Sequence, residues 1–384
     1  MKISLLFFFS LFFSLFALER DKFGTLAIGE TAPDWTLMGI DDKNYSLSDF
    51  KKSDILMIVF TCNHCPEAQA AEWRLKKIVE DYKDQSFSLV AISGNSPEGL
   101  RLDELGFALR GDSFEEMKVQ AKESAFNFPY LYDGDTQEIT KAYGALSTPH
   151  VFIFDKKRRL AYTGRLDDSR KINDIKHHHA REAIDYLLAG KEVALKKTRS
   201  FGCSTKWKSK ADKVKLDNKK WEAQTVTLDH IDGTGVKSLI ANKTDKYRLI
   251  NLWATWCGPC VAELPDLVKI KRIYQNRNFE TITISIDQLK MEKKALAFLQ
   301  DDHVGIGRTA KRTLAQEGRK TNNYIWAGKD LDELAQNLDS EWPGPVPYTI
   351  LVAPGGKIVH RQVGEFDSDK LKKAIIEGVG RYRK

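Results

Sequence analysis

At 384 residues the chain exceeds one ordinary domain, and two domains of about 150–200 residues are expected. Its apolar content of 42% suits a globular protein with two cores. The net charge of +7, from 60 Lys+Arg against 53 Asp+Glu, is modest and comes largely from the stretch Lys191 to Lys220. No recognition motif accompanies that charge, so a nucleic-acid partner is set aside and a solvated linker is expected there.

In chain order, Met1-Lys2 gives a short positive start, Ile3 to Phe16 is almost wholly apolar, and Glu19 to Lys22 is charged. This pattern predicts an export signal over 1–17, cleaved after Ala17 although Leu15 is a poor match to the small residue preferred there; an uncleaved membrane anchor is the alternative. Export implies an oxidising compartment, periplasmic or extracellular. Next come a hairpin near Ala32 to Asn44 and a buried strand over Asp54 to Phe60. Thr61-Cys62-Asn63-His64-Cys65-Pro66 follows, then a helix over Glu67 to Lys83. Phe87 to Ile92 reads as a strand, Glu98 to Ser124 as a polar helical insert, and Ser147 to Phe154 as a strand containing Pro149. A last helix ends near Gly190.

The second half repeats this order. Val226 to Gly233 matches the first hairpin, Tyr247 to Trp253 the strand before the cysteines, and Pro345 to Val352 the strand with proline. Cys62 and Pro149 differ by 87 in numbering, Cys257 and Pro347 by 90. A repeat this long means two copies of a domain. The expected boundaries are 25–194 for the first domain, 195–217 for a basic linker that holds Cys203, and 218–384 for the second.

The five cysteines are two close pairs and Cys203. The wide separation of the pairs argues against a compact zinc module, and no metal site is assigned. Trp256-Cys257-Gly258-Pro259-Cys260 lies between an apolar strand and a helix. A cysteine that opens a helix has its thiolate stabilised by unpaired N–H groups and the helix dipole, and a second cysteine one turn on can attack a mixed disulfide. Pro259 sits in the first turn, where its missing N–H costs nothing. Within the other pair, His64 places a cation against a thiolate and should lower its pKa.

Each half resembles the thioredoxin fold: α/β, two tandem domains, each a mixed central sheet flanked by helices. The resemblance implies cis bonds at Thr148-Pro149 and Val346-Pro347, beside the cysteines, with Trp256, Val346, Pro347, Thr148 and Pro149 contacting the substrate. The second half resembles TlpA/ResA-type thioredoxin-like reductases. That implies Cys257 as nucleophile, Cys260 as resolving thiol, and Glu263 as proton acceptor, since Asn251 occupies the position where thioredoxin carries a buried Asp. The first half resembles the redoxin group, related to peroxiredoxins, through Phe60 to Pro66, Phe128 to Asp133, Ser147 to His150 and Gly164 to Asp168. The peroxiredoxin motif Pro-x-x-x-Thr-x-x-Cys is not met: Val59 and Ile55 stand where Cys62 would need Thr and Pro, and Cys62 and Ile58 where Cys65 would.

The expected function is exported thiol–disulfide exchange through Cys62/Cys65 and Cys257/Cys260, with protein thiols and disulfides as partners and no cofactor beyond the redox-active disulfides. The electron donor is not identified by the sequence; a membrane-bound one is a candidate. A thiol peroxidase in the first half and a copper-chaperone-like module using His150 are the alternatives. His64 has a competing reading as an incidental surface helix residue. Cys203 reads as a third redox thiol serving Cys62, an intermolecular disulfide partner, or a thiol buried beneath Trp207.

Overall fold

The computed structural model describes residues 24–381. The expected signal segment 1–17 lies outside the described residues. The chain divides into two compact units: 24–99 with 110–209, and 100–109 with 210–381.

In the first unit the strands are β1 (Thr36–Gly39), β2 (Asn44–Ser46), β3 (Ile55–Thr61), β4 (Phe87–Ser93), β5 (Tyr130–Tyr132), β6 (Ser147–Thr148), β7 (His150–Phe154), β8 (Leu160–Gly164) and β9 (Cys203–Ser204). The helices are α1 (Pro66–Asp81), α2 (Phe114–Glu123), α3 (Glu138–Tyr143) and α4 (His179–Leu188). Among the described residues the main sheet has seven strands in the order β2-β1-β5-β4-β3-β7-β8, and β6 pairs with β9 separately. β3 is central, parallel to β4 and antiparallel to β7. All seven of its residues are buried, because both sheet faces are covered and leave no polar side to alternate with. One face packs Met57, Val59 and Ala91 under Leu75 and Ile78 of α1; the other packs Ile58, Phe60 and Phe152 against Tyr143.

The second unit holds α5 (Ala211–Glu222), β10 (Asp229–Ile231), α6 (Gly233–Ala241), β11 (Tyr247–Trp253), α7 (Gly258–Ile273), β12 (Phe279–Ser285), α8 (Glu292–Asp301), α9 (Arg308–Gln316), β13 (Asn323–Trp326), α10 (Leu331–Leu338), β14 (Tyr348–Val352), β15 (Ile358–Val363) and α11 (Ser368–Val379). Its described strands form the order β10-β13-β12-β11-β14-β15. β11 is again central, parallel to β12 and antiparallel to β14. Its Arg248 is fully buried, which is sustained by ion pairs to Glu280 at 2.6 Å and Glu317 at 2.5 Å.

Both units are thioredoxin-like mixed sheets flanked by helices, and both X-Pro bonds named above are cis. Three expectations require correction. Val226 to Gly233 is not a hairpin. β10 pairs parallel with β13, and Asp232 ends it by accepting from Gly235 N at 2.8 Å and capping α6. The Glu98 to Ser124 insert is α-helical only from Phe114, with short 3-10 turns at Pro97–Gly99 and Leu102–Leu105 before it. Residues 100–109 belong to the second unit, where Leu102, Leu105 and Leu109 pack on its core and Asp103 accepts from Asn276 at 2.7 Å. The 195–217 stretch is not a free tether. Thr198, Cys203, Thr205 and Lys206 bond into the first unit, and α5 starts the second. Its lysines made it read as linker, whereas backbone pairing orders it.

Candidate redox sites

In the second unit α7 begins at Gly258, with Cys257 as its N-cap and Pro259 in its first turn. Cys257 and Cys260 are joined by a disulfide. Cys257 Sγ accepts from Cys260 N at 3.2 Å and lies 3.5 Å from the Val346 carbonyl oxygen, beside Pro347. Trp256 next to the pair is 66% exposed, an unusual position for so large an apolar ring. Glu263, one turn beyond Cys260 and on the same face of α7, is buried. Its Oε1 accepts from Asn251 Nδ2 at 2.8 Å and its Oε2 from Phe366 N at 3.3 Å. Burial raises its pKa to about 7, and these two hydrogen bonds offset only part of that rise. Asn251 also donates to Thr349 Oγ1 at 3.0 Å, so it holds the carboxyl and the strand after Pro347 together.

The first unit differs in which cysteine caps the helix. Pro66 is at the first helical position of α1, where proline is favoured, so the N-cap is Cys65, the second cysteine. Cys62 and Cys65 are free thiols, both buried. Cys65 Sγ lies 3.2 Å from Thr148 O, and Cys62 Sγ 3.1 Å from Thr148 Oγ1. Burial raises the Cys65 pKa, but hydrogen bonds from Cys203 and Cys62, the charge of His64 and the Ala68 N–H outweigh it and bring the thiol well below its ordinary value. Cys62 is pushed well above its own, first by burial, then by its hydrogen bond to Cys65 and the charge of Asp112.

His64 is not a surface residue, because a carboxylate from a distant segment anchors it: its Nδ1 meets Asp112 Oδ2 at 2.5 Å, inside the core. Asp112 also accepts from Asn63 N at 2.9 Å, His64 N at 3.1 Å and Asn95 Nδ2 at 2.8 Å. Burial alone lowers the His64 pKa, yet the Asp112 charge and hydrogen bond raise it overall, and the same pairing lowers Asp112. Asn63 and His64 are thus held outside the helix, which leaves Cys65 to open it. Sequence reading missed Asp112; only its place before the capping serine Ser113 marks it as a loop residue.

Cys62, His64 and Asp112 have ligand atoms within 4.8 Å of one another, but the carboxylate is already saturated with hydrogen bonds, an ion-pair arrangement more than a metal one. His150 is buried elsewhere: its Nε2 meets Thr163 Oγ1 at 3.1 Å, its ring packs on Phe152, and burial lowers its pKa to about 3. It does not join the thiols. Cys203 does: its N–H donates to Cys65 Sγ at 3.3 Å.

Two tandem thioredoxin-like domains, the second with a disulfide-bonded Cys257/Cys260 pair at a helix N-terminus beside the Val346 carbonyl, define the class as a thioredoxin-like oxidoreductase. Comparisons with known proteins agree. A model of the AhpC/TSA family matches residues 28–163 and a model of the Redoxin family residues 219–378, so the chain carries these two thioredoxin-like domains in tandem. It is 24% identical over 162 residues to the thiol-disulfide oxidoreductase ResA of Bacillus thuringiensis, covering 42% of this chain and 79% of that protein. It is 29% identical over 151 residues to ResA of Oceanobacillus iheyensis, covering 39% and 60%. Among solved structures, a conserved protein from Geobacillus kaustophilus is 39% identical, covering 48% of this chain and 94% of its own, with a TM-score of 0.43.

Proposed function

We propose that this chain is an exported thiol–disulfide oxidoreductase that exchanges disulfides with protein thiols through two sites, Cys257/Cys260 and Cys62/Cys65. The observation that carries the reading is the second-unit pair at the start of α7, with Glu263 raised to about 7 behind it. In the reducing direction Cys257 attacks a client disulfide, giving a mixed disulfide. Glu263 takes the proton of Cys260 as that thiol attacks Cys257 Sγ, and the client leaves reduced. The Val346 backbone beside Cys257 offers an edge for the client backbone, and Trp256 an apolar contact. In the first unit Cys65 is the thiolate and Cys62 the protonated partner. The disulfides themselves are the only redox groups this chemistry requires.

Export rests on the apolar segment ahead of Glu19 and on the oxidising setting that suits exchange; no helix among the described residues is long and apolar enough to cross a membrane. The Cys257 pair, with Gly-Pro between its thiols, is the more reducing, and the pair holding His64 the more oxidising, so electrons run from the second unit to the first. The AhpC/TSA match favours a second reading, peroxide reduction at Cys65. Trapping tests the first: Cys260→Ser holds client proteins as mixed disulfides at Cys257, and recovering none would overturn it. Peroxide consumption that survives Cys257→Ser and is lost in Cys65→Ser supports the second.

A further inference from the structure

In the second unit Pro345 O accepts from Trp342 Nε1 at 2.9 Å, and no described strand pairs with Val346, whose backbone faces Cys257 and can meet an extended peptide. In the first unit the equivalent edge, Ser147–Thr148, is occupied by the chain itself. β9 lies antiparallel to β6, with Cys203 opposite Thr148 and Ser204 opposite Ser147. The seat is built for it. Thr205 donates through N to Leu146 O at 3.1 Å and through Oγ1 to Ala145 O at 2.7 Å, and Lys206 N donates to Asn95 Oδ1 at 2.8 Å. Gly202, at φ +152°, brings the segment in, since a Cβ there would stand 2.0 Å from Thr148 O.

This is strand addition within one molecule, and the added strand carries a cysteine where it meets the thiols. The Cys203 side chain packs on the Cys62, Cys65 and Ala68 cluster, and its N–H donates to Cys65 Sγ. Cys62 is 3% exposed and Cys65 0%, while Cys203 is only half-buried, which makes it the outermost thiol of the three.

We propose that Cys203 is the third redox thiol of the first-unit site: seated as an internal client, it exchanges with Cys65 and carries the disulfide to thiols outside. This rests on the exchange chemistry proposed above for Cys62 and Cys65. From the Cys62–Cys65 disulfide, the Cys203 thiolate attacks Cys65 Sγ. The Cys65–Cys203 bond forms, the Cys62–Cys65 bond breaks, and Cys62 leaves as a thiolate that takes up the proton Cys203 gave. This step is an isomerisation with no net oxidation. An outside thiolate then attacks Cys203 Sγ, forming a mixed disulfide there and releasing Cys65 as thiolate. A second outside thiol attacks the outside sulfur of that mixed disulfide, so two thiols become one disulfide while Cys65 and Cys203 return reduced with their two electrons and two protons. The bound strand also closes the groove to protein clients, so a client meets Cys203 before it meets Cys65.

Disulfide mapping of the full chain tests this. Reduced protein is treated with oxidised glutathione, alkylated, digested and read by mass spectrometry. Cys62→Ser is expected to form Cys65–Cys203 as its cross-link in the first unit. Cys203→Ser keeps its backbone pairing to Thr148 and retains the Cys62–Cys65 disulfide, but reduced glutathione opens that bond about tenfold more slowly, because the remaining sulfurs are buried. If Cys62→Ser leaves Cys203 as a thiol or only glutathionylated while the unmutated chain forms Cys62–Cys65, the proposal is overturned and the exchange reading stands. Equal reduction rates with and without Cys203 overturn its outward role. If the unmutated chain forms neither disulfide, both fall.

Discussion

His64 Nδ1 and Asp112 Oδ2 lie 2.5 Å apart with side chains 2% and 0% exposed, joining residues 48 positions apart in the chain. This pair holds Asn63 and His64 out of the helix and puts the imidazolium beside the Cys65 thiolate. Replacing Asp112 with Asn removes the charge that keeps His64 protonated, so burial drives the imidazole neutral and the Cys65 thiolate loses its cation. Asp112→Asn should cost about 3 kcal/mol in denaturant unfolding and raise the Cys65 thiol pKa, read from the pH dependence of thiolate ultraviolet absorbance.

The same pair gives stability a pH window. The folded pKa of His64 is raised above its ordinary 6.5, so its contribution is complete below that value and is lost as pH rises through the folded pKa. The Asp112 pKa is lowered from 3.8, so its contribution is complete above that value and is lost as pH falls through the folded pKa. The pair therefore contributes most between about pH 4 and 6.5. Thermal melts across pH should show that the difference between the unmutated chain and Asp112→Asn is largest in this window and shrinks on both sides.

Glu263, with its pKa near 7, is the proton acceptor proposed for the Cys257/Cys260 exchange. Glu263→Gln keeps the shape and removes the base. Second-unit exchange, measured as insulin reduction in a chain whose first-unit cysteines are serine, should fall about a hundredfold and lose its inflection near pH 7. Because an ionised carboxylate is disfavoured in this buried place, the substitution should also make the chain more stable above pH 7, where wild-type Glu263 is charged, and much less so below pH 4.

Gly202 combines φ +152° with a backbone oxygen 2.0 Å from where a Cβ would stand. Gly202→Ala should loosen β9 from β6 at a cost of about 1–3 kcal/mol. The local readout is alkylation: Cys62 and Cys65 should react faster with iodoacetamide in the variant, while the Cys257 pair is unchanged.

Trp256 is mostly in solvent, so Trp256→Ala should change unfolding free energy by about 0.5 kcal/mol or less. Client capture by the Cys260→Ser form should nonetheless weaken, because a large exposed ring beside a reactive thiol is a contact surface.

Two copies of a strand–cysteines–helix plan, each with an X-Pro ahead of a later strand, were legible from spacing alone, because apolar period and proline position act locally. The placement of proline even encodes the asymmetry between the sites. Pro259 lies inside α7 and leaves Cys257 as cap, whereas Pro66 opens α1 and makes Cys65 the cap. Equal spacing of the pairs hid that difference. Tertiary structure alone decided the rest. Asp112 reaches His64, Cys203 reaches Cys65, and Leu102 packs in the second unit through contacts between segments far apart in sequence. No local periodicity carries such pairings; they depend on which backbone edges and buried charges remain unsatisfied once the two sheets have formed.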